Sequence, residues 1–455
     1  MKVLENIAYY AQTHPKRSAL QFDDFKCNYK QLKERIELAM EDTINIPSHH
    51  FVGLVMKNPM ETIIYYFALL KRGCIPCVLD FRWSQAQIDS LLEHYGISYI
   101  IRDFREVIYT AHYSNKMKWC EEDILHIGFT SGTTGLPKAY YRNERSWLCS
   151  YEENEKLMSE VIDIIVAPGP LSHSLSLYAC IYALYSGRTF IGQQQFNASL
   201  LLKKIEMNSQ TVAMFTVPTM LLSCVAENIE ISGLRYIFTT GDKLHSKLRL
   251  KVKRNLPQVI LIEFFGTSEA SFISYNYNNK APYNSVGLPF PNVKIYLAHQ
   301  DEQNVGILNI KSNMTFSGYV DTEVGNSEWI EIGDFASIDC DGYLYLHGRQ
   351  CDRLIIGGRN VYPSEIETVI QQCDAFDEVC VVSEPHSKFG QIAVLLYTGE
   401  QEVSYQTLRT SLAPYLARYQ IPSKLLRIDK MHYTESGKIA RKQMQETNLE
   451  GGFSI

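Results

Sequence analysis

Apolar and polar positions follow two different periods along the first part of the chain. YKQLKERIELAM and the stretch from Pro59 to Arg72 carry apolar residues at helical spacing, whereas HFVGLVM and IPCVLD are short apolar, β-branched runs. Strand runs separated by helical runs predict a parallel sheet. The alternation resumes with YIIRD, DILHIGF, VIDIIVAP, RTFIG, TVAMFTVP, LRYIFTTG and VILIEFFG. From about Gly287 the strands shorten and alternate with period two, and Asp341-Gly342 in DFASIDCDGYLYLHGR predicts a hairpin turn. After Arg349 the pattern predicts a small α+β domain. Ser364 and Glu367 have capping-box spacing ahead of Ile366, Val369, Ile370 and Cys373; EVCVVSEP, IAVLLYTG and KLLRID read as strands, LRTSLAPYLA as a helix, and a last helix starts near Ile439. The expected fold class is therefore α/β. A large multi-subdomain N-terminal body (1–349), closed by an antiparallel unit, is followed by a small C-terminal α+β domain (350–455). The joint between them, near Gly348 to Arg353, is short enough to act as a hinge.

Composition narrows the possible functions. The chain has 455 residues, 45% of them hydrophobic and 21% charged, with 50 acidic against 44 basic side chains. A formal charge of −6 without long basic runs provides no electrostatic footprint for nucleic acid. Apolar runs such as Ile63 to Leu70 are far shorter than the roughly 18 residues that span a bilayer, so no transmembrane segment is expected. MKVLENIAYYAQTHPKRS has no apolar core and no small-residue cleavage site, and a cytoplasmic location is expected. The 11 Cys are scattered singly through apolar stretches rather than forming a disulfide framework. The CxxC at Cys74 and Cys77 has no second CxxC or His pair nearby and reads as two buried small residues.

Candidate chemistry concentrates in FTSGTTGLPK, Phe129 to Lys138, entered from the strand DILHIGF. Thr130, Ser131, Gly132, Thr133, Thr134, Gly135 and Lys138 combine hydroxyls, glycines and an ammonium that can surround phosphate oxygens. The alternative is a polar, glycine-rich surface loop. It is not a Walker A loop, because Lys138 follows Pro137 and Ala139 stands where the metal-binding hydroxyl belongs.

FTSGTTGLPK resembles the signature loop of the AMP-forming adenylating enzymes, the superfamily of acyl-CoA synthetases, peptide-synthetase adenylation domains and beetle luciferases. Further motifs are similar and in the same order: PLSH (Pro170 to His173), TTGDKL (Thr239 to Leu244), FFGTSEA, IGDFA, GRQCDRLIIGGRNVYPSEIE and ESGKIAR. The resemblance runs from about Tyr29 to Arg441 and is closest to the acyl- and aryl-CoA ligases. It implies activation of a carboxylic acid by MgATP to acyl-AMP with release of pyrophosphate. Transfer to the thiol of coenzyme A follows, or in the alternative to the phosphopantetheine arm of an acyl carrier protein. A non-catalytic nucleotide-binding regulator is the remaining alternative, and it would lack Lys438 or Glu269; this chain has both.

The matching residues also have a chemistry of their own. Glu269, just beyond a strand-end glycine, can hold Mg²⁺, with Thr134 assigned to the same metal by the resemblance; otherwise Glu269 is a solvated loop residue. Asp334 can accept both ribose hydroxyls, with Arg349 reaching the same sugar from the returning strand, unless the two form an ordinary sheet-edge pair. Phe265 offers adenine an aromatic face, although the family commonly has Tyr there. The resemblance adds Thr240, Gly241, Gly266 and Thr267 to the nucleotide site. Lys438 in ESGK is a cation able to contact both carboxylate and α-phosphate. His173 is either a gate between acid and nucleotide or a satisfied core histidine. Leu171, His173, Leu177, Phe215, Thr240 and Phe264 are the candidate acyl pocket, and their neutral character favours a fatty or aryl acid over an amino acid. Cys351 stands at the hinge position usually held by Asp or Lys, and His432 where Pro is common.

Overall fold

The computed structural model describes residues 1–110, 123–130, 136–227, 229, 231–244, 246–282, 284–321, 328–371, 375–400, 402–433 and 439–451. The chain forms two compact units. The first comprises Met1–Ala281, Pro289–Lys294 and Lys311–Glu328, and the second Pro282–Leu288, Ile295–Ile310 and Trp329–Ile455.

In the first unit the predicted alternation produces two sheets. The strands Ile75–Val78, Phe51–Leu54 and Tyr99–Asp103 are parallel neighbours, and Ile75–Val78 also runs parallel to Ile124–Thr130. Antiparallel strands Lys138–Asn143 and Glu106–Tyr109 extend this sheet on either side. In the second sheet Ile260–Thr267, Leu234–Thr239, Val212–Thr216, Ile164–Val166, Thr189–Gly192 and Ser18–Phe22 are parallel in that spatial order. Ser271–Tyr277 turns back antiparallel from Ile260–Thr267. Parallel strands are covered on both faces, which is why they read as continuous apolar runs; Ile164–Val166 and Val212–Thr216 are buried at every position. Cys74 and Cys77 are buried free thiols, and burial pushes Cys74 up to about 11 and Cys77 higher still.

In the second unit, Gly306–Lys311, Ile330–Ile338 and Leu344–Arg349 are successive antiparallel strands. The predicted hairpin turn closes over the Asp339 carboxylate, which accepts from the N–H of Asp341 at 3.0 Å and of Tyr343 at 2.9 Å, with Gly342 at φ +86°. A 3₁₀ turn, Gln350–Asp352, then leads into the α+β module. The module's sheet pairs Glu378–His386 and Gly390–Thr398 antiparallel, with Lys424–Arg427 parallel to the latter. The helices Pro363–Ile370 and Tyr405–Leu412 contribute Ile366, Ile370, Leu408 and Leu412 to one core, while Met444, from helix Arg441–Leu449, lies in another.

The capping box expected at Ser364 and Glu367 is not formed. Helix Pro363–Ile370 has Tyr362 at its N-cap without a side-chain bond. Ser364 Oγ donates instead to the carbonyl of His347, and Glu367 accepts from Val381 N–H at 2.6 Å and pairs with Arg441. Tertiary partners have taken both side chains away from the local motif.

Candidate active site

Ser131, Gly132, Thr133, Thr134 and Gly135 lie outside the described residues, but both flanks of their loop are fixed. Thr130 and Lys138 are directly opposed across the two strands. Tyr95 clamps the exit, donating its hydroxyl to Pro137 O at 2.8 Å and accepting from Ala139 N–H at 3.1 Å. The Lys138 ammonium lies 5.4 Å from the centroid of the Tyr319 ring, and the Tyr319 hydroxyl donates to Glu269 Oε1 at 2.8 Å. One tyrosine thus joins the candidate phosphate cation to the candidate metal ligand. The Glu269 carbonyl accepts from Phe316 N–H at 2.7 Å.

Arg142, four residues beyond Lys138 on the same strand, was missed from sequence. Its side chain is buried, and its guanidinium donates to the carbonyls of Ser268, Met314 (2.9 Å) and Glu269 (3.5 Å) and to Ser146 Oγ (3.1 Å). The signal was there: a strand places Lys138, Tyr140 and Arg142 on one face, and an Arg buried in a strand after two tyrosines needs polar partners.

The carboxyl ends of neighbouring parallel strands carry the next group, the usual position for ligands in such sheets. Thr240 N–H donates to Thr216 O at 3.3 Å, and Gly241 has φ +96°. Phe264 is buried edge-on against Phe272, with centroids 4.6 Å apart, while Phe265 and Thr267 are half-buried. Gly266 is required sterically, because a Cβ there would lie 2.0 Å from Ser271 O. Thr267 Oγ1 accepts from Ala270 N–H at 3.1 Å, closing the turn that carries Glu269.

Of the candidate acyl-pocket residues, Leu171, Leu177 and Phe215 are buried, and Phe215 stacks on Phe238 at 4.6 Å with the rings nearly parallel. Half-buried His173 precedes helix Ser174–Tyr185, and its carbonyl accepts from Leu177 N–H at 3.2 Å. Asp80 is a second residue that sequence reasoning missed. Its buried carboxylate binds Arg82 and accepts from Ser172 Oγ at 3.2 Å. Burial raises its pKa, but the Arg82 bonds and the field of His173 outweigh that and hold Asp80 below its ordinary value.

In the second unit Asp334 and Arg349 are directly opposed across the hairpin, as sharing one ligand requires; Asp334 is buried and Arg349 exposed. Cys351 is exposed as a residue, and partial desolvation of its thiol, followed by the neighbouring Asp352 carboxylate, raises its pKa. Asp352 lies 3.6 Å from Arg441 Nε, and the Arg441 fork also holds both Glu367 oxygens, at 2.5 and 2.8 Å. Lys438 lies outside the described residues. The chain on either side of 434–438 is pinned by Ala440 N–H to His432 O at 2.8 Å and by a bridge between Tyr433 and Ile439.

Comparison with known proteins gives this geometry a family. The AMP-binding enzyme profile matches residues 7–320, and the AMP-binding enzyme C-terminal domain profile matches residues 365–438. A Staphylococcus haemolyticus protein provisionally named long chain fatty acid-CoA ligase VraA is 47% identical over 464 residues, covering 100% of both chains. The fold is similar to that of o-succinylbenzoate CoA synthetase (MenE) from Bacillus subtilis in complex with its acyl-adenylate intermediate, with a TM-score of 0.84, 22% identity and 97% of each chain covered. The same enzyme in complex with ATP and magnesium gives a TM-score of 0.85 at 21% identity, covering 96% of this chain and 98% of that one. No helix among the described residues is long and apolar enough to cross a membrane. With the two profiles together spanning most of its length, the chain belongs to the AMP-binding enzyme family.

Proposed function

We propose that the protein joins a carboxylic acid to coenzyme A at the expense of ATP. An oxygen of the acid attacks the α-phosphorus, the bond to the bridging oxygen breaks, and acyl-AMP and pyrophosphate result. The coenzyme A sulfur then attacks the acyl carbonyl, and AMP leaves with the electron pair of the anhydride bond. The observation that carries this reading is the Lys138–Tyr319–Glu269 chain, which connects a phosphate-loop cation to a carboxylate.

Thr130 to Lys138 hold the β- and γ-phosphates. Asp334 and Arg349 hold the ribose, and Phe265 faces adenine beside Thr240, Gly241, Gly266 and Thr267. The donors near the triphosphate, the Glu269 carboxylate and the Thr134 hydroxyl, are hard oxygens. Such oxygen donors suit Mg²⁺ bound mainly through substrate phosphates. Once bound, Mg²⁺ offsets triphosphate charge during displacement. Lys438 contacts the carboxylate and α-phosphate as charge moves between them. Rotation of 350–455 about Cys351 then removes Lys438 and brings the Gly357–Asn360 segment towards the thiol.

The neutral residues Leu171, Leu177, Phe215 and Phe264 favour a fatty or aryl acid, and the name of the Staphylococcus haemolyticus relative puts fatty acids first for trial. A panel of fatty, aryl and amino acids, scored by pyrophosphate release with ATP, tests the reading. Release should require a fatty or aryl acid, and thioester should appear when free coenzyme A is added. Pyrophosphate without thioester would move the acceptor to an acyl carrier protein; no release with any acid would refute the adenylation step.

A further inference from the structure

We propose that Arg142 is a positioning residue for Glu269 and so sets how tightly the site takes magnesium-bound ATP. The inference rests on the reading of Glu269 as metal ligand given above. Arg142 is 1% exposed, and among the described residues it donates to three backbone carbonyls and a hydroxyl. A guanidinium has the geometry for this, because its planar fork reaches separate chain segments at once, and a lysine's point charge does not.

Three segments meet at this fork. Arg142 and Ser146 lie on the strand and helix that follow the phosphate loop, Ser268 and Glu269 form the turn after strand Ile260–Thr267, and Met314 begins the segment that ends in Tyr319. That last segment is tied to the phosphate-loop strand again, by Ser317 N–H to Tyr141 O at 3.0 Å, Asn143 Nδ2 to Ser317 Oγ at 2.6 Å and Val320 N–H to Ala139 O at 2.9 Å. Glu269 is therefore held twice: its backbone by Arg142 and Phe316, its carboxylate by Tyr319. Arg142 lies on the strand of Lys138 and Tyr319 on a segment paired to that strand, so Arg142 and Tyr319 together fix the offset between carboxylate and phosphate cation. Outer partners of this kind typically alter metal affinity about 10–100-fold when removed.

The test compares Arg142→Lys, Arg142→Met and Glu269→Gln by calorimetric titration with ATP, with magnesium and with chelator. Arg142→Met removes the buried charge but leaves its carbonyl partners without a donor, so folding of each variant is checked first by circular dichroism and thermal melting. Both Arg142 variants should weaken magnesium-bound ATP by about tenfold, leave metal-free ATP within about twofold, and form thioester from synthetic acyl-AMP at a near wild-type rate. A wild-type preference for the magnesium complex in folded Arg142 variants, with Glu269→Gln impaired, would overturn the positioning role alone. An unaffected Glu269→Gln would overturn the metal assignment and this inference with it. Failure of both Arg142 variants to fold, or equal loss in both half-reactions, would make Arg142 a purely structural residue and overturn the inference.

Discussion

Asp334 and His126 show how differently two buried polar residues can serve the same molecule. Asp334 is directly opposite Arg349 and is assigned to the ribose. Asp334→Ala should weaken ATP by about 1.5–3 kcal/mol, the range for a charge-assisted hydrogen bond, and abolish the preference for ATP over 2′-deoxy-ATP; an unchanged preference by competition kinetics would remove Asp334 from the site. His126 has a structural part. It is buried against Trp147, with ring centroids 4.8 Å apart, and shares a hydrogen bond with the Tyr66 hydroxyl at 3.2 Å. Burial, with Arg142 adding to it, pushes its pKa down from 6.5 to about 3. The folded state keeps His126 neutral while the unfolded chain protonates it, so this contribution to stability is full above pH 6.5 and is lost as pH falls towards about 3. His126→Gln should flatten that part of the stability profile in urea melts at successive pH values. Asp334 differs from His126 and Arg142 in how visible it is in sequence: IGDFA is a motif, whereas a buried arginine is recognisable only once its carbonyl partners, more than a hundred residues away, are in place.

At the scale of elements, periodicity identified strands such as Val212–Thr216 and Leu234–Thr239 because parallel pairing buries both their faces. Local capping chemistry was a poorer guide. Ser364 and Glu367 had the right spacing, but His347 O, Val381 N–H and Arg441 offered stronger fixed partners. The turn after Ile260–Thr267 shows the opposite case, where a motif has a steric cause. With Ser271 O 2.0 Å from the position of a Cβ, Gly266→Ala must displace backbone rather than a side chain. It should cost about 1–3 kcal/mol and also lower ATP affinity, because the same turn carries Glu269. Chemical denaturation together with ATP titration would check this, and a stable variant with normal ATP binding would show that the turn can relax.

Over the whole molecule, the proposed reaction needs two arrangements of one chain. The joint we propose is the 3₁₀ turn Gln350–Asp352, flanked by contacts that a rotation there would have to exchange: Arg353 over the Phe335 ring at 4.9 Å, His347 Nδ1 to Glu365 Oε1 at 2.6 Å, and Tyr362 against Phe335 at 5.2 Å. A joint here is an expectation from the motif alone, and these contacts are not legible in it, because each pairs residues that no local pattern relates. Lys438→Ala should stop acyl-AMP formation yet leave thioester formation from synthetic acyl-AMP near wild type. Cys351→Pro fixes φ near −65° and should do the reverse, sparing adenylation while transfer to coenzyme A falls about tenfold. Cys351→Asp should change either half-reaction less than about threefold, since backbone freedom rather than charge is what a pivot needs. If Cys351→Pro transfers the acyl group at wild-type speed, the pivot lies at Asp352 or Arg353.

The fate of the acid's oxygen decides the chemistry itself. When a carboxylate oxygen attacks the α-phosphorus and the thiol later displaces AMP at the carbonyl, that oxygen departs on AMP. Turnover of an acid labelled with heavy oxygen in its carboxylate, with ATP and coenzyme A, should put one labelled oxygen into AMP and none into pyrophosphate, read by mass spectrometry of both products. Label in inorganic phosphate with formation of ADP, or unlabelled AMP alongside thioester, would contradict an acyl-AMP route.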